Sequence, residues 1–123
     1  MSNAEQGPRE WRFYVNDMIE FGEKVLSYTE GLDQAEFVAN TLTYDATLRN
    51  LELIGEAATH IPSEVREAHS EIQWRDIIAT RNRLAHGYLG IDNDVIWDII
   101  QNDVPKLLPA LRKLLDTTSK DSE

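Results

Sequence analysis

The chain runs to 123 residues, 41% hydrophobic and 28% charged, which fits one globular domain and excludes the disordered and fibrous classes. It has no cysteine, so a disulfide framework, a thiolate nucleophile and thiolate-held zinc or iron–sulfur centres are excluded. Twelve basic against 22 acidic residues leave a net charge of −10, a sign that repels phosphate and argues against a general nucleic-acid coat protein.

No run approaches the ~18 consecutive apolar residues of a membrane span, and no signal-peptide pattern opens the chain. The expectation is a soluble, cytoplasmic protein without a membrane partner. Met1-Ser2-Asn3-Ala4 reads as an expression scar, residues 1–8 as a lead-in, 9–116 as a single domain, and 117–123 as a frayed polar tail.

The apolar periodicity is helical throughout. Trp11, Val15, Met18, Phe21/Gly22 and Val25 mark a first helix from Arg9 to about Glu30, with Pro8 near its start and Gly31 ending it. Asp33 is placed to cap a short helix from Gln34 to Asn40, with Glu36 completing a capping box. Tyr44, Leu48, Leu51, Ile54/Gly55 and Ala58 give a helix from about Thr43 to His60, stopped before Pro62. A turn or two follows over Ser63 to His69. Trp74, Ile77/Ile78, Arg81 and Leu84/Ala85 then continue the pattern to roughly Gly87. Asp92 caps a helix through Val95, Ile99 and Asn102, and Pro105 kinks or restarts it before Leu107, Leu111 and Leu115. Nothing alternates with the period of a strand. The predicted fold is an all-α up-and-down bundle of four to six helices.

The densest polar cluster is Arg81-Asn82-Arg83-Leu84-Ala85-His86-Gly87-Tyr88. At about 100° per residue, Arg81 and Tyr88 fall nearly in line and Asn82 shares a face with His86. Arg81 and His86 diverge by about 140°, so they flank a groove, and a second copy of the chain could bring a further pair to it. A fixed cation, an amide, an imidazole able to shuttle a proton and a phenol are what transfer at a phosphodiester requires. From Arg49 to Arg83 every lysine-or-arginine position is arginine, the better bidentate phosphate ligand, so a local anion site stays open on an acidic protein.

Each residue also has a purely structural reading. His86 could bond a carbonyl near Gly87 at the helix end, and Arg81 could pair with a buried carboxylate such as Glu56. The Tyr88 ring could pack into the bundle, and Trp11, Trp74 and Trp97 sit at positions suited to packing. His60 and His69 lack helical spacing to His86, so no metal site is expected, and no cofactor loop is present because the glycines are scattered.

The blocks Arg49-Asn50-Leu51-Glu52-Leu53-Ile54-Gly55-Glu56-Ala57, Trp74-Arg75-Asp76-Ile77-Ile78, Arg81 to Tyr88, Gly90-Ile91-Asp92 and Val95-Ile96-Trp97 resemble the HepT-like branch of the HEPN superfamily. The resemblance covers about Arg9 to Leu115, and Arg81, His86 and Tyr88 match its Arg-x4-His-x-Tyr signature in order and spacing. Gly87 departs from many relatives, which carry a larger, often acidic residue there.

The resemblance implies a helical bundle that forms a homodimer, with two Arg…His motifs at a cleft on the two-fold axis. It implies a metal-independent endoribonuclease, the toxin of a toxin–antitoxin pair whose antitoxin is a minimal nucleotidyltransferase (MNT). Carried over, Arg81 and His86 are catalytic, holding the scissile phosphate and moving a proton. Asn82 orients one of them, and Arg83 supports the site. Tyr88 contacts substrate and accepts AMP from the antitoxin. The competing expectation is an inert helical protein that binds a nucleotide or the nucleotidyltransferase through the same cleft.

Overall fold

The computed structural model describes residues 10–86 and 91–121, with side chains as far as Thr117. Among these residues the chain is helical with no strand. The elements are α1 (Trp11–Thr29), α2 (Gln34–Ala39), α3 (Thr41–Ala58), α4 (Ser63–Ala68), α5 (Trp74–Ala85), α6 (Asn93–Asp98), a π-helical turn (Ile99–Asp103) and α7 (Val104–Asp121). The predicted all-α bundle is what forms. None of its helices is long and apolar enough to cross a membrane, among the described residues.

Local chemistry sets most of the boundaries. The Glu10 carboxylate accepts from the Arg12 N–H and starts α1. Gly31, at φ 79°, takes the left-handed conformation that lets the chain leave α1 and turn back. The capping box expected at Asp33 is present in both directions: Asp33 Oδ1 accepts from the Glu36 N–H at 2.8 Å, and Glu36 Oε1 from the Asp33 N–H at 2.9 Å. Asn40 caps α3 through the Thr43 N–H, so α3 begins at Thr41, two residues before its predicted start. Asp92 caps α6 by accepting from the Asp94 N–H.

The C-terminal half differs from expectation in one instructive way. The irregularity begins ahead of Pro105, as a π turn in which the Val104 N–H reaches back five residues to the Ile99 carbonyl. Pro105 has no N–H to donate and its ring crowds the carbonyl four residues earlier, and the wider turn accommodates both. The buried stripe departs from the expected one on both sides of this turn but keeps Leu111. Ile96, Ile100, Val104, Leu108, Leu111 and Leu114 enter the core, while Val95, expected on that face, is 46% exposed and Asn102 is also outside. The last helix runs to Asp121, with Pro109 inside it.

Helix α3 is the central element, packed against α1 on one side and α5 on the other, with α7 closing against α1. The core joins Val15, Met18 and Val25 of α1 to Leu51, Ile54 and Ala58 of α3 and to the α7 stripe, with Phe37 of α2 fully enclosed. The Phe37 ring lies 5.2 Å from that of Tyr44 and 5.4 Å from that of Trp97, which makes Trp97 a packing residue. Trp74 is buried, its indole N–H donating to the His69 carbonyl. Helix α5 is the exception in this core. Trp74 is its one fully buried side chain, and Ile77, Ile78 and Leu84 are only partly covered.

Candidate active site

The site is built where α5 crosses α3. Gly55 makes that crossing close: a Cβ on it would stand 2.1 Å from the Arg81 Cβ and 2.9 Å from the Ile77 carbonyl oxygen. Only a residue without a side chain lets the two backbones meet this way, and the contact settles where the Arg81 side chain emerges.

From there the guanidinium is held at two points. Nη2 donates to Glu56 Oε1 at 2.5 Å and Nη1 to Asn82 Oδ1 at 2.9 Å, while Nε is enclosed without a hydrogen-bond partner among the described residues. The pairing with Glu56 is the structural alternative that the sequence left open for Arg81, but the expected burial of that carboxylate was not found. The Glu56 side chain is 44% exposed and that of Arg81 32%, because the pair sits at the rim of the crossing. Such a pair is screened by water, so it orients the cation more than it stabilises the fold.

His86 is the C-cap of α5, exposed, and its ring Nδ1 lies 2.6 Å from the Asn82 carbonyl oxygen. A carbonyl can only accept, so Nδ1 carries the proton and Nε2 remains for a ligand. The structural reading of His86, a bond to a carbonyl at the helix end, is thus realised, one turn earlier than Gly87. It also prepares the ring for chemistry. Asn82 serves both neighbours, its side chain accepting from Arg81 and its main chain from His86, so the two are joined through it rather than directly.

Arg83 lies exposed on the same helix. Tyr88 and Gly87 lie outside the described residues, so the tyrosine of the motif is located by sequence alone. Behind Glu56 stands a residue that the sequence reading set aside. His60 Nε2 is 3.5 Å from Glu56 Oε2, and the His60 ring stacks on Tyr14 of α1 at 4.5 Å between centroids and 11° between planes. The Glu56–His60 spacing of four was a visible signal, although His60 lies in the turn just past the end of α3, whereas Tyr14 had none.

Two clefts adjoin α5. One, of about 770 Å³, runs from Asn82 past Ile78, Arg75 and Trp74 to Arg66 and Ser63 of α4. The other, of about 360 Å³ between α3, α5 and α7, is lined by Leu51, Ile77, Asp76, Asp103 and Leu107 and includes neither Arg81 nor His86. Partial burial there, with Asp98 and Asp76 nearby, raises the Asp103 carboxyl above its ordinary range against the opposing pull of Lys106. No cluster of His, Asp and Glu able to hold a metal ion occurs among the described residues.

A family model described as ribonuclease HepT-like matches residues 18–114, which span the core, the crossing and the Arg81–His86 segment. The chain belongs to the HepT-like ribonuclease family. Similar proteins include one from Methanocaldococcus jannaschii provisionally named an RNase, 35% identical over 99 residues, or 80% of this chain and 91% of that one. Another, from Thermococcus cleftensis and provisionally named ribonuclease HepT, is 34% identical over 106 residues, covering 86% of this chain and 96% of its own. A third, from Caldanaerobacter subterraneus and also provisionally named an RNase, is 32% identical over 104 residues, 85% of this chain and 93% of its own. No solved structure matches the chain. HepT-like membership accords with the all-α fold of the described residues.

Proposed function

We propose that this HepT-like chain is a metal-independent endoribonuclease acting in the cytoplasm as the toxin of a HEPN/MNT pair, with Arg81 and His86 as its catalytic residues. The observation that carries the reading is the arrangement about Asn82, with His86 Nδ1 fixed on a carbonyl, Nε2 left open and a braced guanidinium on the same turn. Neutral Nε2 can take the proton of an RNA 2′-hydroxyl as its oxygen attacks the adjacent phosphorus. The 5′-oxygen leaves with a proton from an imidazolium, and the products are a 2′,3′-cyclic phosphate and a 5′-hydroxyl end. Arg81 offsets the charge that gathers on the phosphorane.

A single chain carries one imidazole within the Arg81–His86 segment, and acid and base are both needed. The half-covered apolar face of α5, together with the cleft beside Asn82, supports a two-fold homodimer that supplies the second. Mixing inactive Arg81→Ala and Arg81-intact His86→Ala chains should then restore part of the activity in heterodimers. A monomeric mass at micromolar concentration would sink the dimer.

Tyr88, two residues past His86, is the proposed switch. AMP attached to its phenol would place a phosphate beside Arg81 and an adenine in the cleft, excluding RNA by charge and bulk. Co-expression with the adjacent nucleotidyltransferase should add adenylate masses on the Tyr88 peptide of the wild type and none in Tyr88→Phe. A shift that persists in Tyr88→Phe puts the acceptor elsewhere. Tight association with the nucleotidyltransferase without RNA cleavage would favour the inert binding protein instead.

A further inference from the structure

We propose that Glu56 is a positioning residue for the reaction, holding the Arg81 guanidinium in the orientation that meets the scissile phosphate; the inference rests on the nuclease reading above. Three observations converge on it. Glu56 Oε1 accepts from Arg81 Nη2 across 25 residues of sequence. Its other oxygen is 3.5 Å from His60, in the turn that follows α3, and the His60 ring is stacked on Tyr14 of α1, so the carboxylate is backed by that turn and by one further helix. Gly55, beside it, brings α3 against the Arg81 Cβ and leaves the side chain little choice of path.

The pairing leaves the guanidinium serviceable. Each Nη carries two hydrogens and only one is committed, so a pair of N–H groups remains for two phosphate oxygens. Orientation comes at an electrostatic cost, because Glu56 also offsets the charge that would attract RNA. This opposition gives the role a signature distinct from that of a structural salt bridge. With Glu56 removed, Arg81 is more cationic and less directed, so substrate is held at least as well but in fewer productive poses. The pair is half-exposed, so its loss should register in turnover rather than in melting.

The test compares Glu56→Ala and Glu56→Gln with wild type in steady-state RNA cleavage, thermal melting and 15N NMR of the Arg81 side chain. Glu56→Ala should lower kcat by about 100-fold with KM unchanged or reduced, at an essentially unaltered Tm. Glu56→Gln keeps an oxygen where Oε1 stands and should recover kcat to within about tenfold of wild type, consistent with a weaker neutral hydrogen bond. Rotation about the Arg81 Cζ–Nε bond should be slow in the wild type and fast in Glu56→Ala. The proposal is overturned by a wild-type kcat in Glu56→Ala, by a raised KM in that variant, by failure of Glu56→Gln to recover turnover, or by fast rotation in the wild type. If the wild type cleaves no RNA, the nuclease reading fails on its own. The proposal then stands or falls on the NMR result and on a fully 2′-deoxy oligonucleotide, which Glu56→Ala should bind as tightly as wild type or tighter.

Discussion

With EDTA present, His86→Ala should cleave RNA about 10²–10⁴-fold more slowly than wild type, the range spanned by a lost acid–base catalyst. Arg81→Ala should cost about 10²–10³-fold, the usual effect of removing one donor from a transition-state anion. Neither change should disturb the fold. His86 is exposed at the end of α5 and gives up one hydrogen bond to the Asn82 carbonyl, worth roughly 1 kcal/mol. Arg81→Ala retains the Cβ that packs on Gly55 and loses a solvent-screened ion pair. The double variant should be little slower than the worse single one, because both act on the same phosphate. Helical circular dichroism and melting, read beside the rates, check this. Wild-type cleavage by either single variant would remove that residue from the mechanism.

The largest effect on stability is expected at Gly55, where fold and site share one contact. Ordinary carbon–carbon contact lies near 3.5–4.0 Å, so an alanine Cβ at 2.1 Å from the Arg81 Cβ obliges α3 and α5 to part by more than 1 Å. The neighbours that must yield are a Cβ and the Ile77 carbonyl, both fixed to the backbone, so rotamer changes offer no relief. Gly55→Ala should cost roughly 3 kcal/mol, the upper part of the overpacking range, and lower Tm by about 10 °C or more. Turnover should fall about 100-fold in the molecules that remain folded, since Arg81 shifts with the helix. Gly31→Ala is the control: its Cβ meets nothing within 4 Å, so only the left-handed backbone is strained, at about 1–2 kcal/mol, and the site is untouched. A Gly55→Ala protein that melts with the wild type and cuts RNA at its rate would mean that the crossing is not as tight as described.

Much of the architecture was readable from the residues because it is decided within one or two turns of chain. The Asp33–Glu36 capping box, the exit at Gly31, the cap at Asp92 and the helical period each involve residues no more than four apart. Arg81, Asn82 and His86 belong to this class too, since their mutual bonds run along one helix. The C-terminal stripe was legible in part: Leu111 is buried as expected and Leu107 and Leu115 pack against the core, while Val95 lies outside and Ile96 within. The π turn before Pro105 is a local departure of another kind, and an ideal 3.6-residue repeat carries no sign of it.

The chain of contacts from Tyr14 through His60 and Glu56 to Arg81 is of another kind. The placing of Arg81 and Asn82 on α5 and of His86 at its end follows from the sequence alone, because neighbouring residues on a helix are placed by its geometry whatever surrounds it. That Glu56 braces Arg81, that it does so at the rim rather than inside, and that His60 and Tyr14 stand behind it depend on which helices pack and how closely. Those were settled only when α1 packed on α3 and α5 crossed α3 over Gly55, where backbone approach and side-chain volume, not sequence separation, determine which groups meet.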